Sequence, residues 1–493
     1  MTPPTPAAAR RLRPLFLSAA LALAALPLAA RAQDDHAGHH PPAGQPPEDH
    51  GGHAPPETDA PQPAEDHSGH RPPPAQDHSG HDMPATAEDH AGRGAPAAAE
   101  GHSGHAMPGL LGDYPMGRDA SGTSWRPDVS GHGGVHGMAG GWMLMAHARL
   151  DLVYSWQDGP RGDEEVFVGG MVMGSAQRSV GADGTLTLRA MLSPDPFMGK
   201  DGYPLLLAAG ETADGVTPLV DRQHPHDLFM ELSVAYAHRL GPRDSVFLYA
   251  GLPGEPAFGP PAFMHRDSGL DSPIAPISHH WLDSTHITFG VVTAGWVHDR
   301  WKVEASTFRG REPDEDRFDI EDPDFDSWSA RLSWNPADRW SLQASYAAIT
   351  SPEQLEPGED ERRWSASAIH TAPLAGGGWW STTAAWGRKI DDHGEAADAW
   401  LLETALKPRG DPWTFFARAE RVESHELTPG PGHGDIHSVA KVSLGAVYDV
   451  RLAGHVRVGV GGLWSFNFVP SELEPLYDGD PNGAALFVRL KVE

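Results

Sequence analysis

The chain has 493 residues, with 37 Lys and Arg against 67 Asp and Glu, a formal charge of −30, and no cysteine. Such acidity excludes gripping nucleic acid or an anionic bilayer by electrostatics and favours cations as partners. Without cysteine there is no disulfide framework, no thiolate metal site and no Cys nucleophile.

Residues 1–32 read as a secretory signal. Arg10, Arg11 and Arg13 form a charged n-region, Leu15 to Leu28 an apolar stretch, and Ala30-Arg31-Ala32 a small-residue cleavage site. Arg10-Arg11 is also a twin-arginine pair, but its flanks are poor for such a signal. Ser18 and Pro27 interrupt the apolar run, and no later stretch reaches the ~20 apolar residues that a spanning helix needs. Cleavage removes four arginines, so the exported chain carries about −34.

From residue 33 to 109 one phrase recurs: an acid, a His, two small residues and another His. Copies run from Asp35 to His39, Asp49 to His53, Asp66 to His70 and Asp77 to His81, with variants at Asp89 to Arg93 and Gly101 to His105. The stretch holds His36, His39, His40, His50, His53, His67, His70, His78, His81, His90, His102 and His105, twelve of the chain's 29 His, and it has no Leu, Ile, Val, Phe, Tyr or Trp. With nothing apolar to bury, it is expected to be disordered. Its chemistry is imidazole beside carboxylate, with thioethers at Met83 and Met107, which is a metal-binding composition. Each His pair spaced i,i+3 offers a weak chelate to copper(II), which heads the divalent affinity order, with zinc or nickel as competitors. Neutral imidazole binds and imidazolium does not, so uptake should fade as pH falls through about 6.5. Residues 110–141 read as a Gly-rich linker.

From Trp142 to the end, segments of about ten residues alternate apolar and polar, the period of a strand. Leu144, Ala146, Ala148, Leu150, Leu152 and Tyr154 share one face, opposite His147, Arg149 and Asp151. Val456, Val458, Val460, Trp464, Phe466 and Phe468 oppose Arg457, Ser465 and Asn467. Leu486, Val488, Leu490 and Val492 oppose Arg489, Lys491 and Glu493. Short links near Gly181, Gly241, Asp299, Asn335, Lys407 and Arg451 alternate with long ones, including Pro194 to Asp227, Pro253 to Thr285 and Arg311 to Phe325. Trp296 and Trp301 bracket one short turn and Trp334 and Trp340 another, as in an interfacial aromatic girdle. The pattern predicts an all-β fold: a transmembrane antiparallel up-and-down β-barrel of about sixteen strands over residues 142–493. A soluble β-sandwich or propeller also has many short strands, but it lacks the signal, the loop asymmetry and the Trp at strand ends. A barrel of that size holds a water-filled lumen unless loops fill it. The inward set Arg149, Asp151, Lys302, Glu304, Arg331, Glu403, Arg418 and Glu420 mixes signs and predicts no strong ion selectivity.

The two longest loops carry a second His cluster. D-R-Q-H-P-H-D spans Asp221 to Asp227; the second loop holds Gly254 to Arg266 and S-H-H-W-L-D-S-T-H from Ser278 to His286. His224, His226, Asp227, His265, His279, His280, Asp283 and His286 are candidate metal ligands. The alternative is that they bond one another and the backbone to pack rigid, Pro-rich loops in the barrel mouth. Ser278 and Ser284 beside these His and Asp283 also supply the residue types of a hydrolytic triad, but no nucleophile motif surrounds either serine. The chain is therefore read as no enzyme.

The order of signal, repeated D-H-S-G-H tail and barrel resembles copper-resistance protein B, an outer-membrane copper-tolerance family, although this tail has few Met. The body is similar to a separate family of uncharacterised exported bacterial outer-membrane barrels. It shares P-L-V-D-R-Q-H-P-H-D-L (Pro218 to Leu228), G-P-P-A-F-M-H-R (Gly259 to Arg266) and H-H-W-L-D-S-T-H-I-T-F-G (His279 to Gly290). Further shared motifs run from Phe308 to Asp314, Ser329 to Pro336 and Ser351 to Pro357. The first resemblance implies an outer-membrane protein of copper homeostasis, with its tail in the periplasm of a Gram-negative cell. Its partners would be metal ions, outer-membrane lipid and periplasmic metal-handling proteins. A general porin with an incidental tail is the competing reading.

Overall fold

The computed structural model describes residues 109–131, 133–410, 412–428 and 434–493. The signal, the twelve tail histidines, Met83 and Met107 lie outside the described residues.

A short strand, β1 (Val135–Ala139), pairs with the first residues of β2 (Trp142–Gln157). The wall continues with β3 (Glu164–Val180) and β4 (Gly184–Leu192), while β5 (Tyr203–Thr212) and β6 (Pro218–Gln223) form a hairpin of their own. Next come β7 (Phe229–Gly241), β8 (Asp244–Gly251), β9 (Val291–His298), β10 (Trp301–Phe308), β11 (Ser327–Ala337) and β12 (Trp340–Ile349). The last seven are β13 (Glu361–Leu374), β14 (Gly378–Ile390), β15 (Ala396–Lys407), β16 (Trp413–Ser424), β17 (His437–Ala453), β18 (Val456–Phe468) and β19 (Asn482–Val492). Each wall strand pairs antiparallel with the next, and β19 returns to β2 with Gly483 opposite Gln157 and Val492 opposite Ala148. The seventeen-stranded sheet is thus β1 plus a closed wall of sixteen strands.

The period-two pattern dictates this wall. Leu152, Tyr154, Val460, Phe466, Leu486 and Val488 are exposed outside, whereas Arg149, Asp151, Ser465, Asn467 and Arg489 are buried inside. A closed wall leaves no strand edge unpaired, and its apolar exterior suits hydrocarbon; together these make an outer-membrane β-barrel. Trp296, Trp301, Trp334 and Trp340 are exposed at the short-turn end, and the Trp301 and Trp334 rings stack at 4.7 Å. Leu152→Arg should therefore cost ~2–4 kcal/mol if it meets the bilayer midplane, while Leu152→Phe should be near neutral. Denaturant unfolding in lipid vesicles measures both, and equal stabilities would mean that this face does not meet lipid.

The lumen departs from a water-filled channel: three inserts fill it. Residues 110–130, read as linker, are the first, with Leu111, Trp125 and Arg118 buried. Ser245 donates to the Leu111 carbonyl at 2.7 Å, and Arg118 Nη1 to the Asp299 carbonyl at 2.8 Å. The second is the β5–β6 hairpin, whose Tyr203 ring stacks on Phe167 of the wall at 4.2 Å. The third is the loop of residues 252–290, bonded to the wall through Ala257 N–H to Ser306 Oγ and Trp281 Nε1 to the Ala397 carbonyl. Leu205, Leu206, Ile277, Trp281 and Leu282 join wall residues Val153 and Leu401 in one apolar cluster. The mixed-sign wall charges are therefore not a selectivity filter. They are buried and pair within the wall, as in Lys302–Glu304 at 2.8 Å, or with the plug, as in Glu403–Arg266 at 2.6 Å.

Candidate metal centre

Two plug segments build the centre. The first follows β6 as His224-Pro225-His226, and Pro225 biases the residue before it toward extended backbone. The second is folded back on itself at Gly259 (φ +72°), where an added Cβ would lie 1.9 Å from the Leu282 carbonyl oxygen. Only glycine permits that backbone contact. It seats a single helical turn, His279–Leu282, followed by a 3-10 turn, Ser284–His286, which brings the His279 and His286 rings to 5.1 Å.

Asp283, between the two turns, sets both rings. Its Oδ1 accepts from His279 Nδ1 at 2.6 Å, and its backbone carbonyl accepts from His286 Nδ1 at 2.7 Å. Asp195 Oδ2 accepts from His226 Nδ1 at 2.7 Å. Each Nδ1 faces an acceptor and so carries the proton, which leaves the lone pair on Nε2. One nitrogen from each of His226, His279 and His286 lies within 4.8 Å of the others. Nε2 of His226 and of His286 is buried with no hydrogen-bond partner among the described residues. A carboxylate or carbonyl behind each imidazole is the arrangement that fixes tautomer and aim in metal sites.

Burial keeps His279 and His286 neutral. Burial holds His286 well below the ordinary histidine value, and burial also lowers His279, only partly offset by Asp283. Burial works against the Asp283 charge, yet Arg266 and His279 outweigh it and hold that carboxyl well below the usual range. Arg266 Nη1 donates to Asp283 Oδ2 at 2.5 Å.

The other expected ligands go elsewhere. His224 Nε2 pairs with Glu211 at 3.1 Å, and its ring lies 5.3 Å from that of His280. His280 groups with Glu312 and Glu353, but Arg363 is 3.7 Å from Glu312 and Lys389 3.4 Å from Glu353, so side chains already supply the cations. Asp227 faces Arg317 at 3.6 Å, and burial pushes its carboxyl up to about 7. His265 is half-buried and lies apart, with Nε2 3.4 Å from Met191 Sδ. Asp283 aims ligands; it does not join them. Of the triad types, Asp283 and His279 do pair, but Ser278 donates to Glu420 at 2.8 Å and Ser284 accepts from Arg363 at 3.0 Å. Asp195, Arg266 and Glu312 escaped sequence reasoning. Asp195 lies in S-P-D-P-F-M, where nothing at short range marks it as a partner of His226.

No protein-family model and no curated protein sequence matches the chain. Among solved structures it is similar to Salmonella typhi OmpF in complex with daunomycin: 11% identity, 72% of this chain, 100% of that chain, TM-score 0.46. It is similar also to the anion-selective porin from Comamonas acidovorans, at 9% identity over 71% of this chain and 99% of that chain, TM-score 0.43. A loop-deleted OmpT, an outer membrane protein of Vibrio cholerae, shares 10% identity over 71% of this chain and 99% of that chain, TM-score 0.42.

Proposed function

We propose that this outer-membrane barrel binds a divalent transition-metal ion inside its plug, as part of metal homeostasis in which copper is the foremost candidate. The observation that carries the reading is three buried imidazoles that each bring a nitrogen within 4.8 Å of the others, each with Nδ1 on an acceptor and, in His226 and His286, an unpartnered Nε2. An all-nitrogen set suits copper, zinc or nickel and does not suit magnesium or calcium. Nitrogens ~2.0–2.1 Å from a tetrahedral ion sit roughly 3.3 Å apart, so from separations of up to 4.8 Å the rings close by at most about 1.5 Å on binding. Three protein ligands leave a fourth position open to water or a passing donor. The filled lumen supports binding over general diffusion, since a porin needs a clear path.

The tail would gather ions on the periplasmic side and hand them to the barrel or to periplasmic metal-handling proteins. Short turns face the periplasm in such barrels, and the first described residue, Gly109, lies near that end, its carbonyl 3.5 Å from Gln177 Nε2. The proposed role is binding, not catalysis. In detergent-solubilised full-length protein, His226→Gln, His279→Gln and His286→Gln together should remove one tight equivalent of cobalt(II) or copper(II). The weak tail uptake and the fold should remain. An unchanged tight equivalent overturns the reading, and loss of growth under copper stress on deleting the gene tests the physiological part.

A further inference from the structure

The methionines offer a second kind of chemistry. Six of the 13 Met gather at one place on the inner wall and plug: Met145, Met171, Met173, Met191 and Met230 are buried together, with Met264 packed against them. Register puts the centre of this group in a row. His147 of β2 lies opposite Met173 of β3, which lies opposite Met191 of β4, so three inward side chains stand side by side across three strands. Directly opposed residues have Cβ atoms ~4.5–5.5 Å apart, close enough for long side chains to share one ion. His265 descends from the plug onto this row, its Nε2 3.4 Å from Met191 Sδ and its ring 6.4 Å from that of His147.

Packing alone explains this set poorly. Elsewhere the inner wall mixes Ser, Thr, Arg and Glu with Val, Leu and Phe, as at Val153, Phe247, Leu401 and Phe487, and those apolar types fill space with better-defined rotamers than Met. Two imidazoles among the thioethers are also a poor filler. We infer that His147, Met173, Met191 and His265 form a binding site for a soft monovalent cation, copper(I) or silver(I), separate from the three-His centre. Thioethers are soft neutral donors that select copper(I) over the hard divalent ions.

Its position gives the site a use. A cavity of about 700 Å³ is lined by Met145, His147, Met173 and His265 and reaches Gly454 and His455 of a short turn. Deeper in the plug, a cavity of about 50 Å³ is lined by Met171, Met264 and His226. Met171 and Met264 border both cavities, so soft donors extend from the short-turn end to the edge of the three-His centre.

The test uses full-length protein carrying Met83→Leu and Met107→Leu, so that thioether ligation can come only from the barrel. Silver(I) titration should show one tight equivalent that Met173→Leu with Met191→Leu weakens at least tenfold, with cobalt(II) uptake at the three-His centre unchanged. X-ray absorption of the copper(I)-loaded parent should show sulfur neighbours. A full tight equivalent of silver(I) in the folded double variant overturns the inference. If that variant does not fold, a copper(I) shell in the parent without sulfur overturns it equally. Loss of the three-His centre would leave these results unaffected, so the two sites stand or fall separately.

Discussion

Arg266→Ala should unseat the plug. The Arg266 side chain is fully buried, donates to Glu403 at 2.6 Å and to Asp283 at 2.5 Å, and also reaches the Pro261 carbonyl at 2.8 Å. One guanidinium therefore joins wall strand β15 to the turn that carries His279 and His286. Its removal leaves two carboxylates in a dry interior; Arg418, 3.3 Å from Glu403, can compensate only one of them. Deleting one partner of a buried ion pair costs about 3–5 kcal/mol because the remaining charge is uncompensated. The variant should unfold at clearly lower denaturant concentration, conduct ions in planar bilayers where the parent is nearly closed, and lose affinity at the three-His centre. Parental stability together with parental conductance would show that the plug does not depend on this residue.

Asp195→Ala should weaken metal binding 10- to 100-fold without touching a ligand, the usual effect of removing the group behind a metal-binding histidine. Asp195 is the acceptor for His226 Nδ1. Without it the ring can turn or change tautomer, and Nε2 no longer faces its neighbours. Acidity adds a check with a defined sign. Burial depresses the proton affinity of His279 and His286, so both keep their lone pairs as pH falls through the ordinary histidine value near 6.5. Solvated tail imidazoles would protonate there. Competition titrations at about pH 6 should find the tight equivalent weakened less than the weak uptake. A tight equivalent that vanishes together with the weak ones, or an Asp195→Ala variant with parental affinity, would contradict the assigned geometry.

The barrel was legible in the chain because strand alternation is a local property. A residue such as Leu152 or Arg489 declares its face through its neighbours two positions away, and once one face meets lipid the register admits no slip. The alternation of short and long links then orders the strands into an up-and-down wall. The signal and tail readings rest on composition alone and fall on residues outside the described ones. The candidate ligands were also visible, since H-P-H and the S-H-H-W-L-D-S-T-H stretch stand out in any scan.

Which of those candidates meet was a different matter. His226 is brought to His279 and His286 only because two loops fold inward and the second folds back on itself at Gly259, and the same fold turns His224, His265, His280 and Asp227 to other partners. Asp195 and Arg266 act at the centre across long stretches of sequence, where no local pattern signals them. The filled lumen follows from the same cause, because wall residues such as Glu403 and Arg489 find Arg266 and Asp271 on segments that the alternation does not describe. Local periodicity determined the wall, its two faces and its place in the outer membrane. Only the tertiary structure decided the plug, the three converging imidazoles and the Met–His row, because each depends on contacts between segments far apart in the chain.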